Sequence, residues 1–388
     1  MSRCARTSSC KLKVAVLTNV IPPYRRPVFQ SLCEDERIEL AIFLNQPPEM
    51  SDGLAQHTLP LHFTRSFNVR FRTRHAKVGV DQHELLPLPL GLPFDLARYR
   101  PDLIVSGDLG TRTTLALAMA RILRVPLAAW SEEIISTSLA ISFGQRVLRR
   151  LLIPRIDYFL PWGEPAAEYL MSMGVADDRV FRCAQAVDNE YWRREAARHV
   201  PSVAKQALGL SGRVFLSVGR LVARKGLDSL LAAWSRMPAT VSGSCSLAIV
   251  GAGEEEFQLR RKLEELGLRN VVLFGHRSQE ELPRFYAAAD IFVFPSLVDV
   301  WGLVVNEALA CGLPVLASCR TGAGQGLIDG SDAGEVFDPL DVESFTEMLT
   351  RWAVGPLPGD RSVARRLVEK ADFSKSVQAI QRLVAQIV

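Results

Sequence analysis

The chain lacks any C-x-x-C pair, although it holds seven cysteines, at positions 4, 10, 33, 183, 245, 311 and 319. An odd, scattered set of thiols points to neither a zinc site nor a disulfide framework, and fits reduced cysteines in a cytoplasmic protein. Also missing is any uncharged apolar run of about 18 residues, so no transmembrane helix is expected. The apolar "VAVLTNVI" near the amino terminus ends at "PPYRR" rather than at a small-residue cleavage site, which reads as a first strand and not a signal peptide. Charge of one sign is scarce too. The net charge is +4, with 26 bases and 21 acids in residues 1–200 and 20 bases and 21 acids in residues 201–388. That balance is unlike the basic stripe of a nucleic-acid binder, so no nucleic-acid partner is expected. The surplus is local. It gathers in "FTRSFNVRFRTRHAK", where Arg65, Arg70, Arg72, Arg74 and Lys77 alternate with apolar residues, and again over residues 146–155. A solvated face or loop is one reading of the first stretch, and a contact with an anionic membrane surface or a lipid phosphate is the other.

What is present is a globular composition, 48% apolar and 23% charged, in a chain of 388 residues that exceeds what one core usually organises. Short apolar runs recur: "KVAVLTN", "IELAIFLN", "DLIVSG", "VPLAAW" and "YFLPWG", then "RVFLSVG", "SLAIVG", "NVVLFG", "IFVFPS" and "LPVLAS". They are near-continuous rather than alternating, the mark of strands buried on both faces, and helical patterns such as "EEEFQLRRKLEELGL" lie between them. The fold expected is therefore α/β, with two parallel-sheet domains. Residues 1–190 are read as the first domain, 191–212 as a polar linker, 213–370 as the second domain, and 371–388 as a closing helix that could pack back on the first. Open parallel sheets bind ligands beyond the carboxyl ends of their strands, so a cleft between two such domains is the natural site.

"PSLVDVWGLVVNEALACGLPV" carries two carboxylates, Asp299 and Glu307, in an otherwise apolar run. "VDVWG" reads as a turn after a strand, followed by a helix that begins near Gly302 and ends at Gly312. Asp299 then stands outside the helix start and Glu307 more than a turn inside, with free amide N–H groups between them that favour an anion. Carboxylate, anion site and carboxylate in this order fit a sugar hydroxyl, a diphosphate and a ribose. A plain N-cap and a satisfied buried acid remain the alternative. Upstream, "LSVGRLVARKGLD" puts Arg220 and Lys225 around a turn after a strand, where two cations can neutralise a diphosphate leaving group, surface residues with no ligand being the alternative.

With "VGRLVARKGLD", "AIVGAGEE", "VLFGHRSQEELPRFYAAADIFVFPS", "DVWGLVVNEALACGLPVLAS" and "TGAGQGLIDGSDAGEVFD" in order, the chain resembles the retaining nucleotide-sugar glycosyltransferases of family 4, which have the GT-B fold of two Rossmann-like domains facing across a cleft. The motifs cover roughly residues 214–338, and the likeness of the first half is weaker. The resemblance implies that Gly219, Arg220 and Lys225 hold the donor phosphates, that Glu307 accepts from the ribose hydroxyls, and that Asp299 contacts the donor sugar at a position where the family usually has Glu. It places Val300, Trp301 and Gly302 along the donor, and His276 and Arg277 beside the nucleobase. Arg220, Lys225, Asp299 and Glu307 form the implied catalytic set. Many family members bring a histidine from the first domain, but His57, His62, His75 and His83 follow no clear strand here. Asp108 in "SGDLG" and Glu132 in "AWSEE" stand in loops where such a residue is expected, and Asn19, Tyr24 and Arg25 in "TNVIPPYRRP" are read as facing the acceptor. Helix capping and turn packing are the alternatives for these five.

The reaction so implied is metal-independent, cofactor-free and retaining transfer of a hexose-type sugar from a UDP or GDP sugar to a hydroxyl of a saccharide or polyprenyl-linked acceptor in cell-surface polysaccharide assembly. The place expected for it is the cytoplasm or the inner membrane face. The absence of an Asp-x-Asp pair agrees with that reading. Binding of the donor without transfer is the competing reading. An NAD-linked oxidoreductase is disfavoured because "VGAGEEE" lacks the third glycine of a dinucleotide fingerprint and places acids where phosphate would sit.

Overall fold

The structure, a computed structural model, describes residues 11–45, 59–75, 80–138, 141–357 and 361–387. Lys77, His57, Cys4 and Cys10 lie outside the described residues. Two compact units emerge: Met1–Ala184 with Phe373–Val388, and Gln185–Asp372.

In the first unit the strands are β1 (Leu12–Thr18), β2 (Ile38–Leu44), β3 (Leu61–Phe63), the hairpin strands β4 (Phe67–His75) and β5 (Val80–Leu88), then β6 (Leu103–Ser106), β7 (Leu127–Ser131) and β8 (Tyr158–Pro161). Six of them form a parallel sheet in the order β3-β2-β1-β6-β7-β8. The second unit repeats the plan with β9 (Arg213–Val218), β10 (Cys245–Val250), β11 (Val271–Leu273), β12 (Ile291–Phe294), β13 (Val315–Ser318) and β14 (Gly334–Phe337), ordered β11-β10-β9-β12-β13-β14 and again wholly parallel. This is the doubly wound arrangement, whose strand order reverses between β1 and β6 and between β9 and β12.

The apolar runs of the sequence become these strands because each must feed two layers. Along β1, Val14 and Val16 enter one core while Ala15 and Leu17 enter the other. Along β9, Val214, Leu216 and Val218 face one layer and Phe215 the opposite one. A run that is apolar at every position is what two-sided burial requires.

Two parts differ from the sequence reading. Residues 191–212, expected to link two domains, are largely helical (Asn189–Ala197 and Pro201–Ala207) and belong to the second unit, where Trp192, Ala196 and Ala204 are buried. The stretch around residues 65–77 is read as a solvated face or loop, yet β4 pairs with β5 as an antiparallel ribbon from Phe67↔Leu88 to His75↔Val80. The closing helix Phe373–Ile387 groups with the first unit, burying Val377, Ile380, Leu383 and Val384 in its core.

Candidate active site

In the second unit, the reversal of strand order sets the loop after β9 beside the loop after β12. Leu297 donates its amide to the Arg224 carbonyl at 2.8 Å. Gly226 has φ +67°, and a Cβ there would lie 2.0 Å from the Pro295 carbonyl oxygen, so the two loops close together only with glycine at that position. This contact delivers Lys225 to Asp299: Nζ stands 2.5 Å from Oδ2, and Arg224 lies 3.8 Å from the same oxygen. Burial pulls the Lys225 ammonium below the usual lysine range, the paired Asp299 raises it in part, and the guanidiniums of Arg224 and Arg220 add to the lowering. Lys225 also sits over the Phe294 ring, 5.1 Å from its centroid.

The helix after this loop runs Leu303–Ala310, with Gly302 as its N-cap at φ +107° and Gly312 beyond its end at φ +84°. A side chain at Gly302 would put a carbon 2.3 Å from the Phe294 ring. Of the first amides of this helix, which have no carbonyl four residues back within it, that of Val305 donates to the Gly302 carbonyl at 2.9 Å. Glu307, one turn further in, is partly buried and accepts the Tyr286 hydroxyl at 2.6 Å. Burial pushes the Glu307 carboxyl up to about 7, while the hydrogen bond from Tyr286 pulls it down. The phenol, fully buried, is held well above its usual range by burial and then by Glu307.

Two cavities open at the carboxyl ends of β9 and β10. One of about 120 Å³ is lined by Gly219, Arg220, Gly251, Ala252, His276 and Arg277, among others, so four of the residues singled out from the sequence share one pocket. His276 is exposed, and Arg277 donates to its carbonyl at 2.8 Å. The smaller one brings Arg220 and Lys225 to Ser296, a fully buried residue whose hydroxyl has no partner among the described residues. Val300 is partly buried on the connecting loop. Trp301 turns its ring into the core, where Nε1 donates to Asn306 Oδ1 at 2.8 Å and Asn306 in turn donates to the Gln185 carbonyl at 2.9 Å. That side chain packs, and the Trp301 carbonyl accepts the Ala323 amide at 3.1 Å.

The first unit also gathers polar groups at its strand-order reversal. Asn19 follows β1 and Asp108 follows β6. Arg112, almost fully buried, joins them: it donates to Asn19 Oδ1 and stands 3.2 Å from Asp108 Oδ2. Asn45 donates to Asn19 Oδ1 at 3.1 Å, and Asp108 accepts the Gly110 amide at 2.9 Å. Beyond β7, Glu132 pairs with Arg25, which lies against Trp130 and Trp162 at 4.4 and 4.7 Å from their centroids, with Tyr24 at 5.6 Å. The five first-unit residues named from the sequence thus fall into two networks, Asn19 with Asp108, and Tyr24 with Arg25 and Glu132. His62, in β3, is stacked on Phe43 of β2, with ring centroids 4.9 Å apart. The sequence reading missed Arg112, Tyr286, Arg224 and Ser296. Only Arg224, next to Lys225, had a local signal.

Residues 202–373 match the family described as glycosyl transferases group 1. The O-antigen chain mannosyltransferase B of Escherichia coli is 30% identical over 199 residues, 51% of this chain and 51% of that protein. A GDP-mannose-dependent alpha-(1-6)-phosphatidylinositol monomannoside mannosyltransferase of Mycolicibacterium smegmatis is 37% identical over 165 residues, covering 40% of this chain and 41% of that one. The matches thus span about half the length or less of these curated relatives. The crystal structure of Anabaena HepE in complex with UDP has the same fold, with a TM-score of 0.75 over 97% of this chain and 100% of that one at 18% identity. The group 1 match thus falls in the second unit, and the chain as a whole shares the GT-B fold of HepE. Among the described residues no helix is long and apolar enough to cross a membrane.

Proposed function

We propose that the protein transfers a hexose-type sugar from a UDP or GDP sugar to a hydroxyl of a saccharide or lipid-linked saccharide, with retention of configuration and without a metal or other cofactor. The observation that carries this reading is the second-unit loop pair, which sets Lys225 on Asp299 and Arg220 in one cavity with Lys225, ahead of a helix start, with Glu307 one turn in. Arg220, Lys225 and the helix amides place positive potential where a diphosphate would carry its charge. Asp299 and Glu307 flank that place as acceptors for sugar and ribose hydroxyls, and His276 and Arg277 border the pocket for the base. The Mycolicibacterium smegmatis relative, by its name, uses GDP-mannose, and HepE was crystallised with UDP, which supports a nucleotide-linked donor.

In the step proposed, the bond between the anomeric carbon and the diphosphate oxygen breaks, with its electron pair leaving on the diphosphate. The acceptor oxygen bonds to that carbon on the same face, and its proton passes to the departing phosphate. Asn19, Tyr24, Arg25, Asp108 and Glu132 of the first unit are assigned to the acceptor. The names of these two relatives speak of an O-antigen chain and of a phosphatidylinositol monomannoside. Together with the basic segments of the first unit, they support work on a lipid-linked acceptor at the inner face of an anionic membrane.

Nucleoside diphosphate release is to be measured with a panel of UDP and GDP sugars, with and without saccharide acceptors, and the product anomer determined by NMR. Release that requires both substrates, with the donor's anomeric configuration kept, is the outcome expected; an inverted product overturns the mechanism. A second reading, donor binding without transfer, is favoured by one observation: the Asp299 carboxylate is already engaged by Lys225 and Arg224. Ligand-induced thermal stabilisation with no release under any acceptor would establish it.

A further inference from the structure

The first-unit helix Phe143–Leu152 carries an apolar stripe turned away from its own core. Phe143, Val147 and Leu151 are 76%, 39% and 54% exposed, at a spacing of four that lines them along one side of the helix. Leu148 and Leu152, on the other side, pack into the first-unit core. A reciprocal capping pair holds the start of the helix: Gln145 N donates to Ser142 Oγ at 3.3 Å and Ser142 N to Gln145 Oε1 at 2.9 Å.

Charge decides what covers the stripe. Residues 134–156 contain Arg146, Arg149, Arg150 and Arg155 and no Asp or Glu. Arg149 leans back to Glu133 at 2.6 Å, but Arg146, Arg150 and Arg155 are exposed. A 100° step per residue sets Arg150 and then Arg146 along one flank of the stripe. A second copy docked through this face would bring like charges together with no acid on the helix to meet them. A lipid bilayer with anionic headgroups accepts both features at once, since apolar side chains enter the acyl boundary while guanidiniums reach phosphates.

We propose that the helix Phe143–Leu152 is an interfacial anchor for an anionic membrane, with Phe143, Val147 and Leu151 among the acyl chains and Arg146, Arg150 and Arg155 on lipid phosphates. The inference rests on the membrane-face reading above and deepens it by naming the element that makes the contact.

The test is co-sedimentation of the full chain, without donor or acceptor, with vesicles of phosphatidylcholine alone or with about a third phosphatidylglycerol, a proportion chosen to give a strong negative surface potential. Binding only to the anionic vesicles, weakened by salt, is expected. Arg146→Glu with Arg150→Glu lowers partitioning at least about 25-fold, at about fivefold for each of the two arginine charges removed. Phe143→Ser with Leu151→Ser lowers it at least about tenfold through lost apolar burial. Unchanged thermal midpoints show that these surface variants still fold. In Phe143→Trp, a blue shift on anionic vesicles that is absent on neutral ones supports the seating of that residue. Equal binding to both vesicle types, or full retention by either double variant, overturns the proposal. So does self-association in sedimentation equilibrium that the same variants abolish. Because no substrate is present, a chain that binds vesicles but releases no nucleotide sinks the transfer reading alone, and active transfer without vesicle binding sinks the anchor alone.

Discussion

Tyr286 donates its hydroxyl to Glu307 at 2.6 Å, from a helix that precedes β12 to a helix that follows it. The pair sets the protonation of the carboxylate assigned to the ribose. Burial holds Glu307 at about 7 and the phenol hydrogen bond opposes that rise. A carboxylate accepts hydroxyl hydrogen bonds better than its protonated form, so the affinity for UDP or GDP should rise with pH through a midpoint near 7. Tyr286→Phe removes the opposing hydrogen bond and should move the midpoint upward, and Glu307→Gln should flatten the profile. Calorimetric titration between pH 5.5 and pH 8.5, a range of about 1.5 units on either side of the midpoint, measures both effects.

The same shift has a stability consequence. The folded carboxyl, at about 7, lies above its ordinary 4.5. The folded state therefore holds its proton more tightly, and the stabilisation is complete below about pH 4.5 and is lost as pH rises through about 7. Across that window the wild type should lose up to about 3 kcal/mol relative to Glu307→Gln, as read from urea unfolding at pH 5 and pH 8.

Asp299 and Lys225 are both largely buried, with 13% and 15% of their side chains exposed. Asp299→Ala leaves an ammonium that burial already disfavours with no anion beside it, and should cost about 3 kcal/mol of stability. Chemical denaturation of Asp299→Ala beside Asp299→Asn checks this, the amide variant falling between wild type and alanine.

Arg220 lines both cavities at the end of β9. If it holds the departing diphosphate, Arg220→Ala should lower kcat by about 10²–10³ and leave the fold intact. Full activity would remove it from the site.

Gly302→Ala forces a methyl group to 2.3 Å from the Phe294 ring at a backbone φ of +107°. It should destabilise the second unit by more than about 3 kcal/mol. A thermal midpoint within a degree or so of wild type would mean the helix start is not held as described; a shift of several degrees is the usual response to 1 kcal/mol.

The strands were legible because two-sided burial writes itself as unbroken apolar runs. The helix start was legible because Gly302 and Gly312 bracket it. The hairpin of β4 and β5 was not, since alternating arginines suit a wet ribbon and a wet loop alike. The stretch 191–212 looked like a linker because it has no strand, yet short helices can be polar on one face and still bury Trp192 and Ala204.

Sequence alone determined the α/β class, the two parallel sheets and which residue types stand at the strand ends, since these follow from local burial and from where the chain must turn. Tertiary structure decided who meets whom. Lys225 reaches Asp299 across 74 positions because β9 lies next to β12, and Tyr286 reaches Glu307 across 21 because their helices flank that same strand. Arg112 lies 93 positions from Asn19 and bridges it to Asp108, because β1 lies next to β6. Strand order in a parallel sheet is set by long crossovers whose outcome no local pattern records.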